Sequence, residues 1–183
     1  MRRTYPFRLY MAPLLLAGSA LGALTPAIAA SDAFGRVNMK GAIVETPCAI
    51  DVGDRDQTLL MGTVPISQIL RDGRGPEKTF AIRLFDCTLA AINPLRPGWK
   101  TFQVTFDGDA DNGHFKTLGE ASGIAMMIRD GQGNIATPGA ALPTGNLTPG
   151  DMHLRYTLNL VGNKANLRAG DYRTTIRFRL DYN

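Results

Sequence analysis

The sequence predicts an all-β fold, an antiparallel β-sandwich in one domain, and three observations carry that expectation. Apolar residues recur at every second position through most of the chain, Gly, Pro, Asn and Asp clusters cut these runs into short lengths, and helical periodicity is weak. At 183 residues, 44% hydrophobic and 20% charged, the chain has a globular composition and the length of one ordinary domain.

Residues 1–29 stand apart from the rest. Arg2, Arg3 and Arg8 precede an Ala- and Leu-rich run over 9–24, which ends in Thr25-Pro26-Ala27-Ile28-Ala29. Ala27 and Ala29 are the small residues a signal peptidase needs, so the segment reads as a secretory signal peptide cleaved after Ala29 or one residue later. An uncleaved anchor is the alternative, but Pro13 interrupts a run already short for a span of about 20 residues. The formal charge of +4 includes the three leader arginines, so only about +1 remains on the exported part. Its Lys and Arg are scattered, which gives a nucleic-acid partner no electrostatic support.

Along the exported part, Val37, Met39, Gly41 and Ile43 predict a first strand and residues 58–64 another. A short helix over 64–72 precedes the turn signal Asp72-Gly73-Arg74-Gly75-Pro76. Strands follow where Phe80, Ile82 and Leu84 share a parity, then Phe102, Val104 and Phe106, then Ile124, Met126 and Ile128, then Leu154, Tyr156, Leu158 and Leu160. Turns are expected at Asp107-Gly108, at Asp130-Gly131-Gln132-Gly133 and at Thr148-Pro149-Gly150. The last strand is the longest. It places Tyr172, Thr174, Ile176, Phe178, Leu180 and Tyr182 on one side and Arg173, Thr175, Arg177, Arg179 and Asp181 on the other. About seven strands in all favour a sandwich, and an amphipathic strand of this kind either pairs internally or invites a strand from another chain.

Sites of catalysis are hard to build from these residues. Asp107-Gly108-Asp109-Ala110-Asp111-Asn112-Gly113 has the alternate carboxylates of a calcium loop, but Asn112 and Leu118 stand where an EF-hand needs Gly and Glu, and strands flank it. It reads as a polar hairpin loop. Ser31, Ser67 and Ser122 lie outside any GxSxG setting, and His114 and His153 fall in or beside turns. Gly131-Gln132-Gly133 opens no helix, so it is no phosphate loop. An enzyme, a cofactor, a small-molecule substrate and a metal site are therefore not expected. Cys48 and Cys87, the only cysteines, read as one intramolecular disulfide in an oxidising compartment, with free or metal-binding thiols as the alternative.

Four segments, in order, resemble the pilins of the chaperone–usher family. They are GRVNMKGAIVETPCAIDVGDRDQTLLMGTV, KTFAIRLFDCTL around the second cysteine, GIAMMIRDGQGNIA, and LRAGDYRTTIRFRLDYN with Tyr next to last. The resemblance covers nearly all of the exported chain. It implies an incomplete immunoglobulin-like sandwich lacking its last strand, completed by a donor strand from a neighbour. It implies a Cys48–Cys87 disulfide. Tyr172, Ile176, Phe178, Leu180 and Tyr182 would line the acceptor groove and meet a periplasmic pilus chaperone, which would anchor the carboxylate of Asn183. Residues 30–40 would be the donor extension, with Ala33, Gly35, Val37 and Met39 on one parity and Gly35 at the small donor position, and 41–183 the pilin domain. An outer-membrane usher and neighbouring subunits complete the expected partners.

Within that family, the block GPEKTFAIRLFDCTL with VTFDG, GNIA and LRAGDY is similar to the minor pilin that terminates and anchors P-type pili. The expected function is accordingly a structural subunit of a fimbria on a Gram-negative cell surface, ending or anchoring it. Alternatives are a major shaft pilin and a self-sufficient secreted adhesive module, though tip adhesins carry an additional lectin domain for which this length leaves no room. Mass spectrometry of the exported protein should find Ala30, or else Ser31, as its first residue; an intact Met1 would rule out the cleaved leader.

Overall fold

The computed structural model describes residues 35–183; the expected signal peptide, and Ala33 of the expected donor extension, lie outside the described residues. The chain divides into two units, Met1–Gly41 and Ala42–Asn183. In the first, residues 35–41 are exposed and carry no regular secondary structure. Among the described residues Gly35, Val37 and Met39 thus have no strand partner, Val37 being 83% and Met39 90% exposed.

The second unit runs β1 (Ala49–Ile50), α1 (Val52–Arg55), α2 (Ile66–Asp72), β2 (Lys78–Cys87), β3 (Thr101–Asp107), β4 (Ala110–Asp111) and β5 (His114–Lys116). It continues with β6 (Leu118–Gly119), β7 (Ile124–Asp130), β8 (Ile135–Ala136), β9 (Gly145–Asn146), β10 (Gly150–Gly162), β11 (Tyr172–Arg173) and β12 (Arg177–Tyr182). One sheet has the order β1-β2-β10-β7-β5-β4 with β8 beside β7, a second has the order β12-β3-β9, and β11 and β6 form a two-stranded third. Every pairing is antiparallel. The order β1-β2-β10-β7 against β3-β12 is that of strands A-B-E-D against C-F of an immunoglobulin-like sandwich, in which a G strand follows F. Among the described residues, no strand occupies the place of G beside β12.

Alternation in the sequence decides what lies between the sheets. Ile82, Leu84, Phe115, Met126, Ile128, Tyr156, Leu158 and Leu160 from one sheet meet Phe102, Val104 and Phe106 from the other, all buried. Phe106 sits edge-on to Tyr156 at 4.9 Å between ring centroids and to Phe80 at 6.2 Å, while Phe80 stacks on Tyr156 at 5.3 Å. These offset contacts add roughly 1 kcal/mol per pair to the burial itself. β7 and β10 also bury Ala125, Met127 and Val161 on the opposite face, so they depart from the simple inside-outside alternation expected of them. Gly145 is where it is because the Phe102 ring leaves no room for a Cβ, which would lie 2.6 Å from its Cζ.

Three expectations need correction. Residues 37–43 form no strand, since among the described residues none pairs with their main chain. Residues 58–64 form none either, yet Leu59, Met61 and Val64 are half-buried against the core, so the alternation reported a covered face without a ladder. The long terminal strand is split. β11 pairs with β6 in a two-stranded sheet of its own, and β12 begins four residues later beside β3. The helix expected over 64–72 is α2, which ends on Gly73 in the left-handed conformation with its N–H donating to Ile69 O. His114 opens β5 directly after the turn at Asn112-Gly113, beside a turn as expected, and His153 lies within β10.

The first part of this unit is stitched to β2 twice. Cys48 and Cys87 form a disulfide across 39 positions of sequence. Asp54, 7% exposed, accepts hydrogen bonds from Arg83 N (2.7 Å), Nε (2.9 Å) and Nη2 (3.1 Å), which fixes α1 on the strand. Asp51 caps α1 by accepting the Gly53 N–H at 2.8 Å. Arg83 holds the Asp54 carboxyl below its ordinary value of 3.8, against the opposing pull of burial.

Replacing both cysteines by serine should cost about 4 kcal/mol of stability, read from denaturant titration, since a loop of this length is released in the unfolded chain. A group with a depressed folded pKa contributes stability that is present above its unfolded value and lost as pH falls through the folded one. Asp54→Asn should therefore destabilise the protein at neutral pH, with the gap to the parent closing as the pH is taken below 3.8. A gap independent of pH would show that the carboxylate charge contributes nothing.

Candidate functional site

Of the sequence-derived site residues, Phe178, Leu180 and Tyr182 lie on β12, whose outer edge is open among the described residues. The ladder with β3 fixes which main-chain groups point there. Asn183 N–H donates to Thr101 O and Thr101 N–H to Asn183 O, both at 2.9 Å, so these two residues form a mutually bonded pair. In an antiparallel ladder such pairs alternate with unbonded ones. Asp181, Arg179 and Arg177 therefore direct their N–H and C=O toward β3, while Tyr182, Leu180 and Phe178 turn theirs to the open side. The far side of β3 agrees: Val104 O accepts from Leu142 N–H at 2.9 Å and Phe106 O from Gly139 N–H at 2.8 Å.

The same three residues aim their side chains at the core. Phe178 lies opposite Phe106, Leu180 opposite Val104 and Tyr182 opposite Phe102. Their partners on β3 are buried, whereas Ile176, Phe178, Leu180 and Tyr182 remain half-buried, as do Leu59, Met61 and Val64 on the unpaired segment. Tyr182 meets the chain's single tryptophan, Trp99, edge-on at 6.4 Å. The result is an apolar strip at the margin of the sandwich, bordered by unpaired amides and carbonyls.

Tyr172 lies apart from this strand, on β11, where it pairs with Gly119. Its hydroxyl and that of Tyr182 are buried without a hydrogen-bond partner among the described residues, and burial pushes both phenols up from their ordinary pKa. Orphaned hydroxyls carry a cost that an incoming acceptor would relieve. The main-chain oxygen of Asn183 accepts from the Lys100 N–H at 2.8 Å as well as from Thr101. Sequence reasoning missed the contribution of Trp99. The alternation of Leu59 and Met61 was visible, but nothing in it told a paired strand from an unpaired one.

Residues weighed for catalysis do not assemble. The loop from Asp107 becomes the β4–β5 hairpin, and among the described residues no three His, Cys, Asp or Glu side chains gather as a metal cage. Ser122 donates its hydroxyl to Asn166 O at 3.2 Å, and Ser67 lies on α2. Among the described residues no helix is long and apolar enough to cross a membrane.

No protein-family model matches the chain. The PRS fimbrial minor pilin protein of Escherichia coli is 34% identical over 150 residues, which cover 81% of this chain and 77% of that one. The fold is similar to the crystal structure of the P pilus rod subunit, with a TM-score of 0.65 at 22% identity over 75% of this chain and 100% of the other. A chaperone–usher pilus of solved structure gives a TM-score of 0.66 at 24% identity over 94% and 100%. Given the disulfide, the A-B-E-D and C-F strand order and this sequence identity, the chain belongs to the chaperone–usher pilin family and is a structural subunit of a fimbria.

Proposed function

We propose that this pilin is a minor subunit that terminates or anchors its fimbria, and that the margin beside β12 is the acceptor for a strand from another chain. The observation that carries the acceptor is the coincidence at Phe178, Leu180 and Tyr182 of half-buried side chains with main-chain groups facing an unfilled place in the sheet. A strand laid there adds hydrogen bonds and covers apolar surface in one event, which is the physical content of strand addition. A periplasmic pilus chaperone supplies that strand first, over Tyr172, Ile176, Phe178, Leu180, Tyr182 and Asn183. At an outer-membrane usher this subunit's own extension displaces the chaperone strand of the subunit ahead of it, while its own acceptor resists that exchange.

Residues 30–40, with Ala33, Gly35, Val37 and Met39 on one parity, act as the donor that this subunit lends in turn, and 41–183 as the pilin domain. The exposure of Val37 and Met39 fits a segment kept for another chain. Residues 1–29 direct export and are removed, and the chain travels through the periplasm to the cell-surface fimbria. The minor role is supported by the identity to a minor pilin.

Co-expression with a cognate chaperone should give a soluble complex, and Leu180→Arg should lower its yield at least about tenfold, because an unpaired cation cannot be buried in the strip. Wild-type yield from Leu180→Arg would move the acceptor elsewhere. An excess of a sister pilin's N-terminal peptide should leave the chaperone in place over hours; rapid displacement would assign the subunit to the shaft and sink the terminator role.

A further inference from the structure

Large apolar side chains stand exposed around the point where the chain enters the sandwich. Ile43 and Val44 precede β1, Ile92 and Leu95 lie in the loop between β2 and β3, and each of the four is at least 74% exposed. Glu45 joins the two pairs. Its Oε1 accepts the Ile92 N–H at 2.6 Å, and its Oε2 lies 4.0 Å from Arg96 Nη1, so the entering segment and the loop are held side by side. Pro47 O accepts the Thr88 N–H at 2.8 Å, and the disulfide ties the same two segments at Cys48 and Cys87. Within the loop, Leu95 N–H donates to Asn93 Oδ1 and Arg96 N–H to Asn93 O, both at 3.0 Å. These ties give the exposed side chains a fixed setting. A lone exposed apolar residue needs no explanation, whereas four on two segments clasped by one carboxylate mark an interaction surface.

Position selects the occupant. Ile43 follows Lys40, the last residue of the donor extension, by three positions, and three residues reach at most about 11 Å. Once the extension lies in another subunit's sheet, Ile43 and Val44 are tethered against the body of that subunit, and Glu45 brings Ile92 and Leu95 with them. The extension by itself has a modest apolar grip, since its inward parity holds Ala33 and Gly35 beside Val37 and Met39. A subunit that ends the fimbria is joined to it through this extension alone.

We infer that Ile43, Val44, Ile92 and Leu95 form a seat for the pilin that receives this chain's extension, a second, apolar contact that holds the donated strand in place. The inference rests on the donor role of residues 30–40. Two contacts joined by a short tether must part together before the strand is lost, so the seat slows release even where its own affinity is low.

The test uses the full chain, with its chaperone at its own acceptor, bound through its extension to a sister pilin. The complex is challenged with an excess of synthetic peptide spanning residues 30–40, and release of the full chain is followed over days by size-exclusion chromatography. Ile92→Asp with Leu95→Asp should speed release about tenfold or more, because a carboxylate pressed on an apolar surface has no partner there. Ile135→Asp, the same change at an exposed apolar residue on β8, should leave the rate unchanged. Ile92→Ser with Leu95→Ser adds no charge, should act in the same direction, and serves in place of the aspartates if those lower the melting temperature. Val37→Asp should prevent the complex from forming; a complex that forms regardless overturns the donor role, and the seat with it. Assembly blocked by Val37→Asp, with the Ile92 and Leu95 variants released at the parental rate, overturns the seat alone. Loss of the chaperone from those variants before assembly would give the surface to the chaperone and likewise overturn the seat.

Discussion

A sheet strand has two edges, and among the described residues only one edge of β12 has a neighbour. The pairing with β3 sets a register in which Phe178, Leu180 and Tyr182 face the core with their side chains and the empty edge with their amides and carbonyls. Those two directions cannot be satisfied separately. Covering the side chains without pairing the edge would strand polar groups away from water, and pairing the edge with a polar strand would leave the apolar strip wet. Only a second strand of alternating character answers both, so the incomplete sandwich specifies its partner by its own register.

An open flank places a burden on the rest of the fold. A domain of this size has few kcal/mol to spare, and a missing strand withholds part of its core. The compensating contacts concentrate on β2, which receives the disulfide at Cys87 and the Asp54 carboxylate at Arg83. Between them they hold the segment that begins at β1 and leads through α1 toward Leu59, Met61 and Val64, which pack half-buried against the core. The aromatic cluster of Phe80, Phe106 and Tyr156 then ties β2 and β10 to β3 across the sandwich, and Phe178 reaches it at 6.5 Å from Phe106. The margin beside β12 is thereby framed by rigid elements.

Much of this was legible in the sequence, and the boundary of legibility has a physical cause. Period-two alternation reports which side of an extended segment is covered, and it placed β2, β3, β7 and β10 and the inward set of the terminal strand correctly. It does not report whether a neighbour pairs with the backbone. Residues 58–64 show the failure plainly: Leu59 and Met61 alternate as a strand would, are covered as a strand would be, and have no ladder. Residues 37–43 fail for the same reason. The split at residues 174–176 was invisible because Thr174 and Ile176 keep the parity through it. Burial on an outer face was equally hidden, since Ala125, Met127 and Thr105 sit at positions that alternation assigns to solvent.

Thr105 makes the last of these points consequential. Its neighbours across the ladder, Arg177 and Arg179, alternate with Phe178 and Leu180 along β12, so one short strand carries an apolar, edge-pairing character inward and a cationic, hydrogen-bonding one outward. Filling the vacant place in the sheet engages the inner side chains and the free edge. The pleat thus separates apolar from charged side chains by a single residue step, so a substitution on the outer parity changes the surface without removing an inward-facing side chain.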